Sequence, residues 1–419
     1  MEQTILTIIS KVNPHGVADL RTLLDGIGSD VEHNPYIPFL DLKLLHFASL
    51  VLNDDPGYGP YLVFENNFDG PLEPYFEDLY AHASEGLHTI YSYCVDYRVA
   101  EAANKVQLLS YLRAHVVRPN AYHIGNVGRS VARTHEESIL RDGLENFLDE
   151  VVEQGTVGPA SSIRQRVQKF VRGQPTLDWA TRVEPRQTAI ERFIPRLKIA
   201  IAAAIALLLL PLLILLAIVW IVMLRWTETH EPPPADLDVK DHVKELVKRE
   251  DRTHIVQNHM CSITTVKPGV FRRVTLRGIL WLVNLLARTS DKGELSGIPS
   301  IHFAHWSLID NGRRLLFVSN FDGSWENYLD DFIDKASTGL TAIWSNTVGF
   351  PRTSWLVREG ARDGSRFKAN ARDKQTYTNT WYSAYKPLTV QAIDNNSRIR
   401  EDLFTPLDDT ATREWLWRF

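Results

Sequence analysis

Apolar and polar positions alternate in short runs over the first hundred residues. Thr4–Val12, Leu44–Leu52 and Tyr61–Phe68 each carry the pattern of a strand with at least one buried face. Asn-Asp-Asp-Pro-Gly-Tyr-Gly (53–59) separates the last two and forms a turn. Asn13-Pro14-His15-Gly16 follows the first strand, and a helix is predicted from there to about Asp25. A second helix is predicted over 71–85, because Leu72, Tyr75, Phe76, Leu79 and Ala83 recur at helical spacing. Gly86 stands where a helix is ended by glycine, and Leu87–Val95 reads as a closing strand.

The same pattern returns in the second half. Met260–Val266 reads as a strand, 270–289 as a helix, and Ile301–Ile309 with Arg314–Phe321 as a hairpin around Asp310-Asn311-Gly312. The helix 324–337 places Trp325, Tyr328, Leu329, Phe332 and Ala336 on one face, and Leu340–Asn346 reads as the closing strand. Residues 62–92 match 315–345 at 15 of 31 positions without a gap. A strand-and-helix tail also repeats, with Ala121–Ile124 and Ser130–Leu144 paralleling Trp381–Ser383 and Thr389–Leu403. Two copies so far apart are a duplicated domain. The order βαββαβ is the ferredoxin-like arrangement. The expected fold is α+β: two tandem ferredoxin-like (βαββαβ) repeats, 1–150 and 253–419, forming a pseudo-dimeric α+β barrel and joined by a hydrophobic membrane segment.

That segment is 199–224, and no charged side chain interrupts it. A basic linker (151–198, irregular from 152) precedes it and a charged linker (225–252) follows. Residues 161–198 hold nine Lys/Arg and three Asp/Glu, against six and eight in 225–252. The excess of positive charge puts the N-terminal repeat in the cytoplasm. A single span would put the repeats on opposite sides of the bilayer. Pro211, in the middle of the stretch, offers a re-entrant anchor instead, which leaves the second repeat cytoplasmic too. Both topologies stay open. The helix 270–289, with Arg272, Arg273, Arg277 and Arg288 around an apolar body, reads either as a core helix or as one lying in the headgroup plane.

Composition narrows the classes. The net charge of -5 argues against a nucleic-acid groove. With two cysteines, Cys94 and Cys261, there is neither a disulfide framework nor a cysteine-built metal site. The N-terminal residues lack the basic stretch of a secretory signal. Eleven Trp fit large buried or lipid-facing surfaces.

Candidate chemistry gathers at two equivalent turns, Asn67-Phe68-Asp69-Gly70 and Asn320-Phe321-Asp322-Gly323. One reading is helix capping. Gly70 or Gly323 is the N-cap, Pro71 or Ser324 the first helical residue, Glu73 or Glu326 reaches back, and the Asp favours the positive helix end. The other reading is catalytic, with Asp69 and Asp322 as acid/base groups and Asn67 and Asn320 beside them. His46 and His302 also correspond. Two imidazoles on facing sheets could bind haem iron or a metal, His302 foremost, or could be hydrogen-bonded core histidines. Alternation puts His302, Ala304 and Trp306 on one face and Phe303 and His305 on the other. Arg358 belongs to a stretch rich in Arg and aromatics (352–385) that could line an anion, cofactor or headgroup pocket. Patterns for a zincin, a P-loop, a dinucleotide fold or a nucleophile elbow do not occur.

Two such units in one chain resemble the dimeric α+β barrel superfamily, which includes dye-decolourising peroxidases and chlorite-dismutase-like haem proteins. Asn66-Asn67-Phe68-Asp69-Gly70 and Ser319-Asn320-Phe321-Asp322-Gly323 keep the Asp-Gly of the peroxidases' Gly-x-x-Asp-Gly, whose Asp is the distal acid. The resemblance implies a haem-dependent, peroxidase-like oxidoreductase with Asp322 or Asp69 as acid/base and His302 or His46 at the iron. The segment from Ser319 to Asn346 also looks like a group of uncharacterised bacterial membrane-associated proteins, which implies no activity. The expected function is a membrane-attached protein whose paired sheets enclose a pocket for an apolar or amphiphilic ligand. The alternative is a non-catalytic binding or scaffolding module that holds a partner enzyme or lipid at the membrane. The lipid bilayer and an apolar small molecule are the expected partners, a homo-oligomer stays open, and nucleic acid is not expected.

Overall fold

The computed structural model describes residues 2–97, 104–155, 158–182, 207–231, 241–250, 256–289 and 297–419. Parts of both expected linkers and residues 199–206 of the apolar segment lie outside the described residues. The chain divides into two compact units. The first is Met1–Glu136, Pro234–Arg352 and Val357–Asp394; the second is Glu137–Pro233, Thr353–Leu356 and Asn395–Phe419. Both expected repeats therefore lie mostly in one unit.

In chain order the first repeat forms β1 (Gln3–Lys11), α1 (Val17–Ser29), β2 (Leu45–Asp55), β3 (Gly59–Asp69), α2 (Leu72–Tyr91), α3 (Lys105–Ala114), β4 (Val116–Val117), β5 (Ala121–Ile124) and α4 (Val131–Glu153). Between the repeats lie α5 (Ala160–Arg172), α6 (Leu210–His230) and α7 (Asp241–Glu250). The second repeat forms β6 (Gln257–Thr265), α8 (Val270–Thr289), β7 (Ile301–Ile309), β8 (Arg314–Asp322), α9 (Trp325–Trp344), β9 (Thr353–Ser354), β10 (Arg358–Glu359), α10 (Gly364–Lys374), β11 (Gln375–Thr376), β12 (Thr380–Ser383) and α11 (Val390–Leu403), and α12 (Asp409–Leu416) follows.

The first unit contains two five-stranded antiparallel sheets, β12-β2-β3-β1-β4 and β11-β6-β8-β7-β5. Four strands of each sheet come from one repeat, in the same order. The fifth comes from the other repeat: β12 pairs with β2, and β5 pairs with β7. Side chains alternate across the strands. Leu62, Phe64 and Phe68 of β3 face Leu20, Leu24, Phe76 and Leu79 of α1 and α2. Phe317 and Phe321 of β8 face Leu276, Leu280, Trp325 and Tyr328 in the same way. The opposite faces meet each other, with Val51 and Val63 against Cys261, Ile263, Leu316 and Val318. A buried side chain of this size contributes roughly 1.5–3 kcal/mol, and a net hydrogen bond about 0.5–1.5 kcal/mol. Apolar burial therefore holds the sheets together, and the polar contacts between them set register.

Several expectations are corrected. Leu87–Val95 and Leu340–Asn346 are not strands. The amphipathic helices continue through Gly86 to Tyr91 and through Gly339 to Trp344. Only isolated bridges remain at those places, Val12 with Cys94 and Val266 with Thr347. Gly86 answers a close approach rather than a helix end, since a Cβ there would collide with the Tyr36 carbonyl. The closing strands are the two-residue β4 and β11, each preceded by an extra helix. The linker from 152 is not irregular throughout. Val167 and Val171 of α5 pack with Leu140, Leu144, Ile399, Leu403 and Trp415 as the core of the second unit. There the buried Arg164 donates to the carbonyls of Asp402, Leu403 and Thr405, a cation placed at the negative end of α11.

The helix α6 has 21 residues and is apolar enough to cross a membrane. Pro211 does not interrupt it. Helix is broken at Leu209, and the proline occupies the first turn of α6, where a missing donor costs nothing. Leu212, Ile214, Leu216, Ile218 and Val222 are exposed. The last turns are engaged by the second unit, where the buried Glu228 accepts from the backbone amides of Trp355 and Leu356 at 3.0 and 2.7 Å.

Candidate functional site

The repeated turn is built the same way twice. Phe68 stacks on Tyr75 and Phe321 on Tyr328, each at 3.8 Å, which joins the end of a strand to the first turn of the next helix. Tyr75 donates to Asn66, and Tyr328 to Ser319. Gly70 and Gly323 have φ of +88° and +80°, which L side chains rarely adopt, so both turns require glycine.

The capping arrangement differs from the expected one. Pro71 and Ser324, not the glycines, are the N-caps of α2 and α9, and only Ser324 accepts a side-chain bond, from the Asn327 amide. Glu73 and Glu326 turn away to pair with Arg113 and Arg372. Asp69 and Asp322 serve other helices. Asp69 Oδ2 accepts from the Val131 amide at the start of α4, and Asp322 Oδ2 from the Val390 amide at the start of α11, both at 2.8 Å. A carboxylate there satisfies an orphan donor and meets the positive end of the dipole.

The second oxygen of each Asp holds a histidine. Asp69 Oδ1 lies 3.0 Å from His46 Nε2, and Asp322 Oδ1 lies 2.7 Å from His302 Nε2. Each histidine is the extra residue of a β-bulge, since the pairing register shifts between Leu45 and Phe47 and again between Ile301 and Phe303. The bulge corrects the expected alternation. His302 leaves the face of Ala304 and Trp306 and turns toward Asp322, while Phe303 packs between the sheets with Phe47, Tyr385 and Ile393. Gln3 and Gln257 hold the chain before each tail helix: Gln3 bonds Gly128 and Arg129, and Gln257 bonds Tyr385 and Leu388. The duplication is imperfect at one point. Tyr385 of the second repeat places its hydroxyl 2.8 Å from His46 Nδ1, whereas His302 Nδ1 is buried with no hydrogen-bond partner among the described residues.

Between the sheets runs a second polar chain. Asn67 donates to Glu65 and accepts from Asn320, which in turn accepts from the Trp381 indole. His305 lies 3.0 Å from Thr7 Oγ1 and 3.5 Å from Glu65. Burial without a cation pushes the Glu65 carboxyl up to about 8, the Asn67 bond opposing weakly. Burial drives His305 down to about 3, and burial with the neighbouring His305 takes His259 to about 3. Both directions favour neutral forms, so Glu65 and His305 meet as uncharged groups rather than as an ion pair.

The expected catalytic residues thus fall in two assemblies. Asp69 with His46 and Asp322 with His302 form the dyads, and Asn67 with Asn320 form the bridge between the sheets. Arg358 joins neither; it is exposed on β10. These residues do not fit a haem. Both nitrogens of His46 are engaged, His302 Nε2 is engaged, and the buried His302 ring packs against Phe47 and Tyr385, with ring centroids 5.1 and 6.0 Å apart. No group of three or more metal-ligating side chains occurs among the described residues. A small cavity, about 20 Å³ and so enough for one water, lies on the outer face of the second sheet between Met260, Phe317, Phe332, Trp344, Phe367 and Lys374. Sequence reasoning missed Glu65 and the two glutamines, and placed Tyr385 in an anion or headgroup pocket rather than beside His46. The matching position of Gln3 and Gln257 at the head of equivalent strands was a readable signal. The chain has no match among family models, curated proteins or solved structures.

Proposed function

We propose that this chain is a membrane-attached, non-catalytic binding or scaffolding module, built from two ferredoxin-like repeats that close as a pseudo-dimeric α+β barrel. The shared strand order of the two sheets and the exchange of tail strands support that fold reading. One observation carries the functional reading: the residues that resemble catalytic groups are engaged in holding helices. Each Asp joins a bulge histidine to the first amide of a tail helix, and both imidazoles are 1 % exposed. A proton-transfer group needs access to a substrate, and the two imidazoles are buried away from solvent.

The membrane reading rests on α6. It is long and apolar enough to cross a membrane, and its apolar side chains are exposed along most of its length. Arg225, which bonds Ser354, marks where polar contacts begin. With both repeats mostly in one unit, a segment that enters and leaves on one side keeps them together, cytoplasmic by the charge of its N-terminal flank.

Haem titration of the purified protein tests the functional reading. It is expected to give no Soret band, and His302→Ala is expected to lower the melting temperature through loss of about 1–3 kcal/mol. A Soret band that disappears in His302→Ala, with unchanged melting, would establish the haem enzyme instead.

A further inference from the structure

We propose that α8 of the second repeat lies on an anionic lipid surface, an inference that rests on the membrane attachment argued above. The two repeats act as an internal control. In both, the helix after the first strand packs on its sheet with two leucines, Leu20 and Leu24 in α1 and Leu276 and Leu280 in α8. The outward faces differ. The 13-residue α1 presents Ala18, Asp19 and Thr22 to solvent. The 20-residue α8 presents Val270, Val274, Trp281, Leu282 and Leu285, with Trp281 66 % and Val274 57 % exposed. At spacings of 4, 11 and 15 from Val270, three of these form one stripe along the helix. Packing on the sheet does not require that stripe, because the first repeat packs without it. A contiguous apolar patch of this kind marks an interaction surface.

Charge selects the occupant. From Val270 to Thr289 there is no acidic residue, whereas α1 carries Asp19 and Asp25. Arg273 and Arg277 lie in the first half of α8; Arg277 is exposed and Arg273 half-buried. Cations near a helix N-terminus oppose its dipole by roughly 0.3–1 kcal/mol each, so helix stability does not account for them. Apolar side chains with a tryptophan between arginines, and no carboxylate, match the interface of a bilayer bearing anionic headgroups.

The test uses the full chain with Leu285→Cys, or Val274→Cys as a second site, and Thr22→Cys on α1 as the reference. Each carries an environment-sensitive fluorophore; the native Cys94 and Cys261 are buried. The protein is reconstituted in phosphatidylcholine vesicles with and without phosphatidylglycerol. Nitroxide-bearing lipid is expected to quench the probes on α8 severalfold more than the probe at Thr22. That quenching should increase with phosphatidylglycerol and fall in Arg273→Glu/Arg277→Glu. Probes on α8 as open to aqueous iodide as the reference would overturn the inference while leaving attachment intact. Probes shielded from iodide yet untouched by lipid nitroxide would overturn it in favour of a protein cover, such as a second copy. Protein that does not float with vesicles would overturn both readings.

Discussion

A carboxyl group taken between two sheets without a cation ionises reluctantly, and that sets the pH response of individual residues here. Glu65 holds its proton to about pH 8 in the fold but to about 4.5 when exposed, so its contribution to stability is complete below 4.5 and is lost as pH rises toward 8. His259 and His305, driven to about 3, and His123, driven by burial to about 4, behave oppositely. Their contribution is complete above about 6.5 and is lost as pH falls below it. Between 4.5 and 6.5 the three histidines outweigh Glu65, and between 6.5 and 8 Glu65 sets the slope. Unfolding in denaturant should therefore show a stability maximum near pH 6.5. Above it, stability should decline by on the order of 1 kcal/mol per pH unit. Glu65→Gln should flatten the alkaline limb; an unchanged limb in that variant would contradict the neutral carboxyl.

At the scale of elements, the exchange of tail strands ties the repeats together. β12 continues the first sheet from Phe47 to Leu50, and β5 continues the second from Phe303 to Trp306. Co-expressed as two chains, residues 1–155 and 256–419 should therefore copurify one to one; two separate, stable monomers would contradict the exchange. Much of this architecture was legible in the sequence. Long strands with period-two patterning, and helices with apolar residues on one face, fell within a few residues of their expected bounds. What was not legible has physical causes. β4 and β11 are two residues long and carry no period. Gly86 reads as a helix end when only the distant Tyr36 carbonyl explains it. Strand exchange leaves no local trace, because β5 and β12 look the same whichever sheet receives them. The site was half legible: repetition picked out Asp69, Asp322, His46 and His302. That each Asp holds a helix some sixty residues further along depends on tertiary packing, and the bulges that turn the histidines inward break the alternation from which their faces were read.

For the whole molecule, the chain carries a long apolar helix between two repeats that lie mostly in one unit. The last turns of α6 are engaged by residues 354–356, and the helix itself is long and apolar enough to cross a membrane. The anchor we propose, one that dips into a single leaflet, keeps the paired repeats on one side of the membrane. The most direct measurement is sidedness in sealed vesicles, with Ser29→Cys on the first repeat and Asp334→Cys on the second, both exposed, against the buried native cysteines. A membrane-impermeant maleimide should label both positions from the same side and to the same extent. Labelling of one from outside and of the other only after the vesicles are lysed would contradict the account.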